Sequence, residues 1–175
     1  MFHLNEKTSA DELCELLQTK TEIASVNLTA SIFHSIDFSH KVFIACNFSA
    51  SKFFNCNFSN TKFRMSFLEF SEFENCNFER TNIQFCSFGA SYFTNISFKN
   101  SDILHTSFNG AKMDNVNFND SDLYNSNISN AKISFVFFEN CNLKKLTLYR
   151  NTQNTISFKS SNVKDALFLD TCRTF

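Results

Sequence analysis

The stretch "CNFSASKFFNCNFSNTKF", Cys46 to Phe63, places phenylalanine at Phe48, Phe53, Phe58 and Phe63. A return every fifth residue fits neither the 3.6-residue period of a helix nor the two-residue period of a half-buried strand. Something in the chain closes every five residues. The phase runs far beyond this stretch. Counting in fives from Leu28 to Phe168 gives (168 − 28)/5 + 1 = 29 positions, and only Gln153 among them is not apolar. Seventeen of them are Phe, so about two-thirds of the 25 Phe occupy one-fifth of the positions. The phase never slips, so no loop interrupts the span. This is an internal repeat of very short period, as solenoids have.

A second position is nearly as regular. Two residues before each centre stands something small, such as Cys46, Ser51, Cys56, Thr61, Ser66 or Ala111, and the residue between is often Asn or Asp. The unit therefore reads small–Asn–Phe–polar–polar. An inward pair two residues apart is a short strand alternation followed by a bend, which leaves three residues facing out. The chain has two Gly and no Pro, so Asn must serve at its corners, where it tolerates left-handed backbone.

This unit resembles that of the pentapeptide repeat proteins, whose consensus is A(D/N)LXX with Phe often replacing Leu. The resemblance covers about 26–170. It implies an all-β solenoid: a right-handed quadrilateral β-helix, one pentapeptide per side and four sides per coil. Residues twenty apart then stack. One inward column would be an unbroken Phe ladder, Phe38, Phe58, Phe78, Phe98, Phe118, Phe138 and Phe158, and about seven coils at about 4.8 Å make a rod of roughly 34 Å. Residues 1–25 are expected to form a helical cap, 26–170 the β-helix and 171–175 a tail. Ser9-Ala10-Asp11-Glu12 fits a capping box, and Leu13, Cys14, Leu16 and Leu17 give an apolar helix face over about 10–20.

Composition narrows the function classes. Formal net charge is −1, and from Val26 onward 14 Lys and Arg face 12 Asp and Glu, so direct nucleic-acid binding is not expected. No apolar run approaches the roughly 18 residues of a membrane span. The start, "MFHLNEKTSADELC", lacks the basic and apolar regions of a cleaved signal. The expected location is the cytoplasm, or a host cell reached by bacterial secretion without such a signal.

Catalytic chemistry finds no foothold. Cys46, Cys56, Cys76, Cys86 and Cys141 fall at the small inward position and read as core filler. No CxxC occurs, and His3, His34, His40 and His105 have no Cys or Ser partner nearby. Two Gly cannot build a phosphate-cradling loop. The expectation is a protein that is not an enzyme and takes no cofactor or metal.

The informative residues are outward apolar ones. Ile44, Met65, Phe85, Leu104 and Tyr124 occupy one corner in successive coils, and Phe67 and Phe70 lie just around it. A contiguous apolar stripe marks a docking surface, so the leading function is a protein-binding or scaffold module with an unidentified protein partner. Either open end of the rod also offers a homodimer contact. Some bacterial pentapeptide repeat proteins are secreted effectors, which this chain could resemble. The alternative is a DNA-mimicking protector of DNA gyrase, since the Phe- and Cys-rich repeats are similar to those of the quinolone-resistance group. That group has a strongly negative surface. Here Asp102 and Asp122 share their column with Lys62 and Asn82.

Overall fold

The structure is a computed structural model, and it describes residues 6–149 and 152–169. Ser9 opens the single helix, α1, Ala10–Thr19; its Oγ accepts from Glu12 N at 3.2 Å. Leu13 is buried and Leu16 and Leu17 pack on the first coil. Cys14, expected on that apolar face, is exposed. The first strand, Glu22–Ala24, already pairs with Val42–Ile44. The solenoid thus begins before the expected boundary at 26, and the helix covers its open end together with Lys7 and Thr8, which donate to Ala30 O and Asn27 O. The expected tail at 171–175 and the inward Asn151 lie outside the described residues.

Every strand pairing is parallel and offset by twenty residues: Phe33 with Phe53, Phe43 with Phe63, Ile128 with Leu148. A period of five and an offset of twenty give 20/5 = 4 sides. The chain is a right-handed four-sided β-solenoid of about 7 turns. The sides are called here by their centres: face 1 from Ile23, face 2 from Leu28, face 3 from Phe33 and face 4 from Phe38. Each backbone amide that leaves one coil finds a carbonyl in the next, as Phe38 N does with Asn57 O at 2.8 Å and Phe58 N with Asn77 O at 2.7 Å. Stacking in this way satisfies the main chain without long strands.

Two devices turn the chain every five residues. The Asn or Asp before the centre folds back on the amide two residues on: Asn47 Oδ1 accepts from Ser49 N at 3.0 Å, Asn57 from Ser59 N at 3.0 Å, Asn77 from Glu79 N at 2.9 Å. The residue two after the centre is left-handed. This is true of Asn55, Asn75, Asn95 and Asn115, and equally of Ala50, Met65, Phe70, Arg80 and Phe85, with φ between 48° and 59° across these. The corner is thus not an Asn position by requirement; the stacked coils impose its backbone on whatever residue stands there.

The interior is built from two kinds of column. On face 4 the Phe rings stack nearly parallel, with centroids 4.7 Å apart from Phe38 to Phe58, 4.5 Å from Phe58 to Phe78 and 4.9 Å from Phe98 to Phe118. Rings of neighbouring faces meet edge-on, as Phe53 and Phe58 do at 5.4 Å and 70°, a favoured geometry that adds about 0.5–1.5 kcal/mol to simple burial. The small column beside each face holds its polar groups in bonds. Ser51 Oγ donates to Leu28 O at 2.6 Å and accepts from Ser31 N at 3.1 Å; Ser71 and Ser91 repeat the pattern one coil on each time. Two residues just after their centres, Ser59 and Ser129, are buried although that position was expected to face out. They are small enough to be covered where long side chains project.

Candidate functional site

The corner between faces 1 and 2 gathers several outward apolar side chains, while others, such as Ile32, Tyr92 and Phe135, lie on face 3. Two columns meet at the corner between faces 1 and 2. The one directly after the centre runs Ala24, Ile44, Arg64, Gln84, Leu104, Tyr124; the left-handed one runs Ser25, Ala45, Met65, Phe85, His105, Asn125. Ile44 and Leu104 are therefore separated by Arg64 and Gln84, whose side chains hydrogen-bond each other. The expected single stack of Ile44, Met65, Phe85, Leu104 and Tyr124 is instead two interleaved columns with a polar pair in one of them.

The two columns differ in how much they offer to a partner. Met65 and Phe85 are 55% and 59% exposed, while Ile44, Leu104 and Tyr124 are half-buried. Phe85 stacks on His105 at 5.0 Å and 15°, and His105 meets Tyr124 edge-on at 5.6 Å. The Asn125 amide donates to His105 Nδ1 at 2.9 Å, and Lys145 Nζ lies 5.7 Å from the Tyr124 ring. His105 joins this aromatic ridge by stacking. The sequence pattern did not single it out because it reads there as a solvated polar residue.

Phe67 and Phe70 belong elsewhere. Phe67 stands before the centre of face 2, between Asn47 and Ser87 in its column. Phe70 sits at the far edge of face 2, the corner towards face 3, and is 70% exposed; Phe67 is 47% exposed. The structure therefore brings Phe67 beside Met65 but sets Phe70 across the width of a face.

The ionisable groups within the core are thiols. Burial pushes the Cys86 thiol up to about 12 and the Cys141 thiol up to about 11, and it raises Cys46 as well. The Cys76 thiol is pushed up first by its bond to Cys56 and then by burial. Thiols held protonated and enclosed, as Cys46, Cys86 and Cys141 are, are poor nucleophiles, whereas the hydrogen bond shared with Cys76 draws the Cys56 thiol the other way, down to about 7. On the surface, the Ser39 hydroxyl and amide hold the Asp37 carboxyl below its usual range. The acidic pair Asp102 and Asp122 is tied down by Asn82 and Asn142, which donate to it at 3.2 and 3.0 Å. Among the described residues, no group of three or more His, Cys, Asp or Glu could hold a metal ion, and no helix is long and apolar enough to cross a membrane.

Residues 68–148 match the family described as pentapeptide repeat region, and residues 23–60 match the family described as pentapeptide repeats (8 copies). No curated relative matches the chain. Among solved structures it is similar to trypsin-treated QnrB1, a plasmid-mediated fluoroquinolone resistance protein, at 21% identity over 80% of this chain and 73% of that one, with a TM-score of 0.45. It is also similar to a pentapeptide repeat protein from the cyanobacterium Cyanothece 51142, at 14% identity over 91% of this chain and 99% of that one, with a TM-score of 0.41.

Proposed function

The chain belongs to the pentapeptide repeat family, and on that premise we propose that it is a non-enzymatic scaffold whose aromatic ridge docks a protein partner. One observation carries the reading. At the corner between faces 1 and 2, Met65 and Phe85 occupy left-handed positions and lie exposed on successive coils. That backbone costs a non-glycine residue about 1–2 kcal/mol, and Asn offsets part of it by local hydrogen bonds. Large apolar side chains there gain little for the fold and much for a partner, because exposed aromatics anchor interfaces. An effector acting on a host protein would use such a surface, with the rod as rigid support.

Gyrase protection by DNA mimicry ranks second. A DNA mimic needs a run of negative charge, and the Asp102–Asp122 pair is flanked in its column by Lys62, Asn82 and Asn142. The test uses Phe85→Ser with Tyr124→Ser. The double variant should keep nearly the wild-type melting temperature and weaken capture of the partner by about 2 kcal/mol, roughly 30-fold. A loss of several kcal/mol of stability would show that the ridge covers the core instead. Protection of gyrase from a fluoroquinolone in a supercoiling assay would place the second reading first.

A further inference from the structure

Face 2 differs from the other three. Its outward positions from Asn27 to Tyr149 carry one charged residue, Glu69, in a chain with 16 basic and 17 acidic residues. Both glycines of the chain also lie on it. Gly89 is not there for want of space, and Gly110 relieves the left-handed strain that a side chain would bear at its position. A Cβ on Gly89 would meet its nearest neighbour at 3.5 Å, an ordinary contact. Gly110 has φ 73°, in the left-handed region that Asn100 and Phe70 occupy with full side chains. Both glycines bare the backbone. With Ser87 and Ala90 they make a low, uncharged shelf on the coils centred at Phe88 and Phe108. On the coil before it, Phe67 and Phe70 rise from the two sides of the same face.

We propose that face 2 docks a second copy of this chain, antiparallel, about a two-fold axis that lies in the interface plane and runs across the rod. Phe67 and Phe70 of each copy lie over the Gly89, Ala90 and Gly110 shelf of the other. Charge selects this occupant. A charged surface pressed onto the shelf would lose hydration with nothing to compensate it, whereas a neutral face meets its own copy without like-charge repulsion. Glu69, the exception, turns towards the preceding coil and accepts from Ser49 Oγ at 3.1 Å. Shape agrees with charge. Knob and shelf are one to two coils apart, roughly 5–10 Å, so one rotation seats both pairs and closes the assembly. The face is roughly 34 Å by 10 Å, short of the roughly 800 Å² per partner of a durable interface, so the dimer dissociates on dilution. Phe70 and the glycine shelf stand off the corner ridge, and the two surfaces can fail separately.

Sedimentation equilibrium of the purified chain tests this, from about micromolar to about millimolar protein. The mass should climb from one chain towards two. Gly89→Arg and Phe70→Asp should each weaken the association at least tenfold with melting unchanged. Gly89 has room for a side chain, and Asp tolerates left-handed backbone better than Phe does. Phe85→Ser with Tyr124→Ser should leave the dimer intact. A single-chain mass throughout the range overturns the proposal. So does a dimer that neither face 2 variant disturbs, or one that only the ridge variant disrupts.

Discussion

Two corner columns share one backbone and differ in everything else. At the edge of face 3, Asn55, Asn75, Asn95 and Asn115 have φ between 53° and 56°, and their side chains form a ladder: Asn95 Nδ2 donates to Asn75 Oδ1 at 2.9 Å, and Asn115 Nδ2 to Asn95 Oδ1 at 2.9 Å. At the edge of face 1, Met65, Phe85 and His105 have φ between 48° and 54° and stack as apolar and aromatic groups. The coil spacing and the main-chain bonds are the same. The four Asn, before Phe135 takes the next place in that column with φ 53°, are what the fold selects when nothing else acts on a corner, because Asn relieves left-handed strain and pairs with its neighbours. The second column departs from that without any gain for the main chain. On the proposed reading, the difference separates the demands of folding from those of a partner.

The widest contrast is between inside and outside at one level of the rod. Phe78 is buried between Phe58 and Phe98, with ring centroids at 4.5 and 4.8 Å. Phe78→Ala should cost about 3–5 kcal/mol, since it opens a cavity in a stack that cannot close without shifting whole coils. Phe85→Ala, seven residues on and on the surface, should change stability by no more than about 0.5 kcal/mol. Urea unfolding of both variants measures the gap. Equal losses would mean that the exposed ring belongs to the core and that the corner comparison has no functional content.

The core was legible because its signal is strict. A buried position admits few residue types, and its period of five survives across faces, so the Phe ladder of face 4 stands in the sequence as plainly as in the structure. The turns were legible only in part. Asn47 and Asn77 announce their turns because their side chains make them, but Ala50, Arg80 and Phe85 take up left-handed backbone with no mark of it in their own chemistry. Tertiary stacking overrides their local preference. The candidate surface was the least legible. Sequence spacing places residues on a coil, yet it does not by itself separate the column after the centre, which holds Ile44, from the corner column, which holds Phe85. Phe70 is close in sequence to Phe67, yet the width of face 2 separates it from the ridge.

Alkaline pH probes the interior from its chemical side. An unperturbed thiol ionises near about 8.5, whereas burial holds Cys86 near about 12 and Cys141 near about 11. Between those values the unfolded chain sheds protons that the folded chain keeps. Stability is thus full below the unfolded value and falls as pH rises towards the folded ones, with a limiting slope on the order of 1.4 kcal/mol per pH unit for each thiol. Melting should drop between pH 9 and pH 11. Cys86→Ser with Cys141→Ser should flatten part of that slope, because serine does not ionise there and the hydroxyl residues Ser66, Thr106 and Ser121 already fill neighbouring positions in the two columns. An unaltered slope would assign the alkaline loss to surface lysines and tyrosines.

The smallest effect concerns Phe67, where the two demands meet at a single atom. Below it in the column, Asn47 Oδ1 accepts from Ser49 N at 3.0 Å and holds the turn. Phe67 has no oxygen to offer the amide of Glu69 at the equivalent place. Phe67→Asn restores the repeat's own residue, so it should raise stability by about 0.5–1 kcal/mol, the usual net value of one such bond. The half-exposed ring that is lost contributes little burial to set against this. The same substitution should weaken self-association through face 2, because it removes one of the two projecting rings. A chain that gains stability and loses its dimer by one change would show that this position is held against the preference of the fold. If Phe67→Asn lowers the melting temperature, the ring is instead part of the cover over Cys46 and Leu68, and the contrast between the two kinds of corner narrows to Met65 and Phe85.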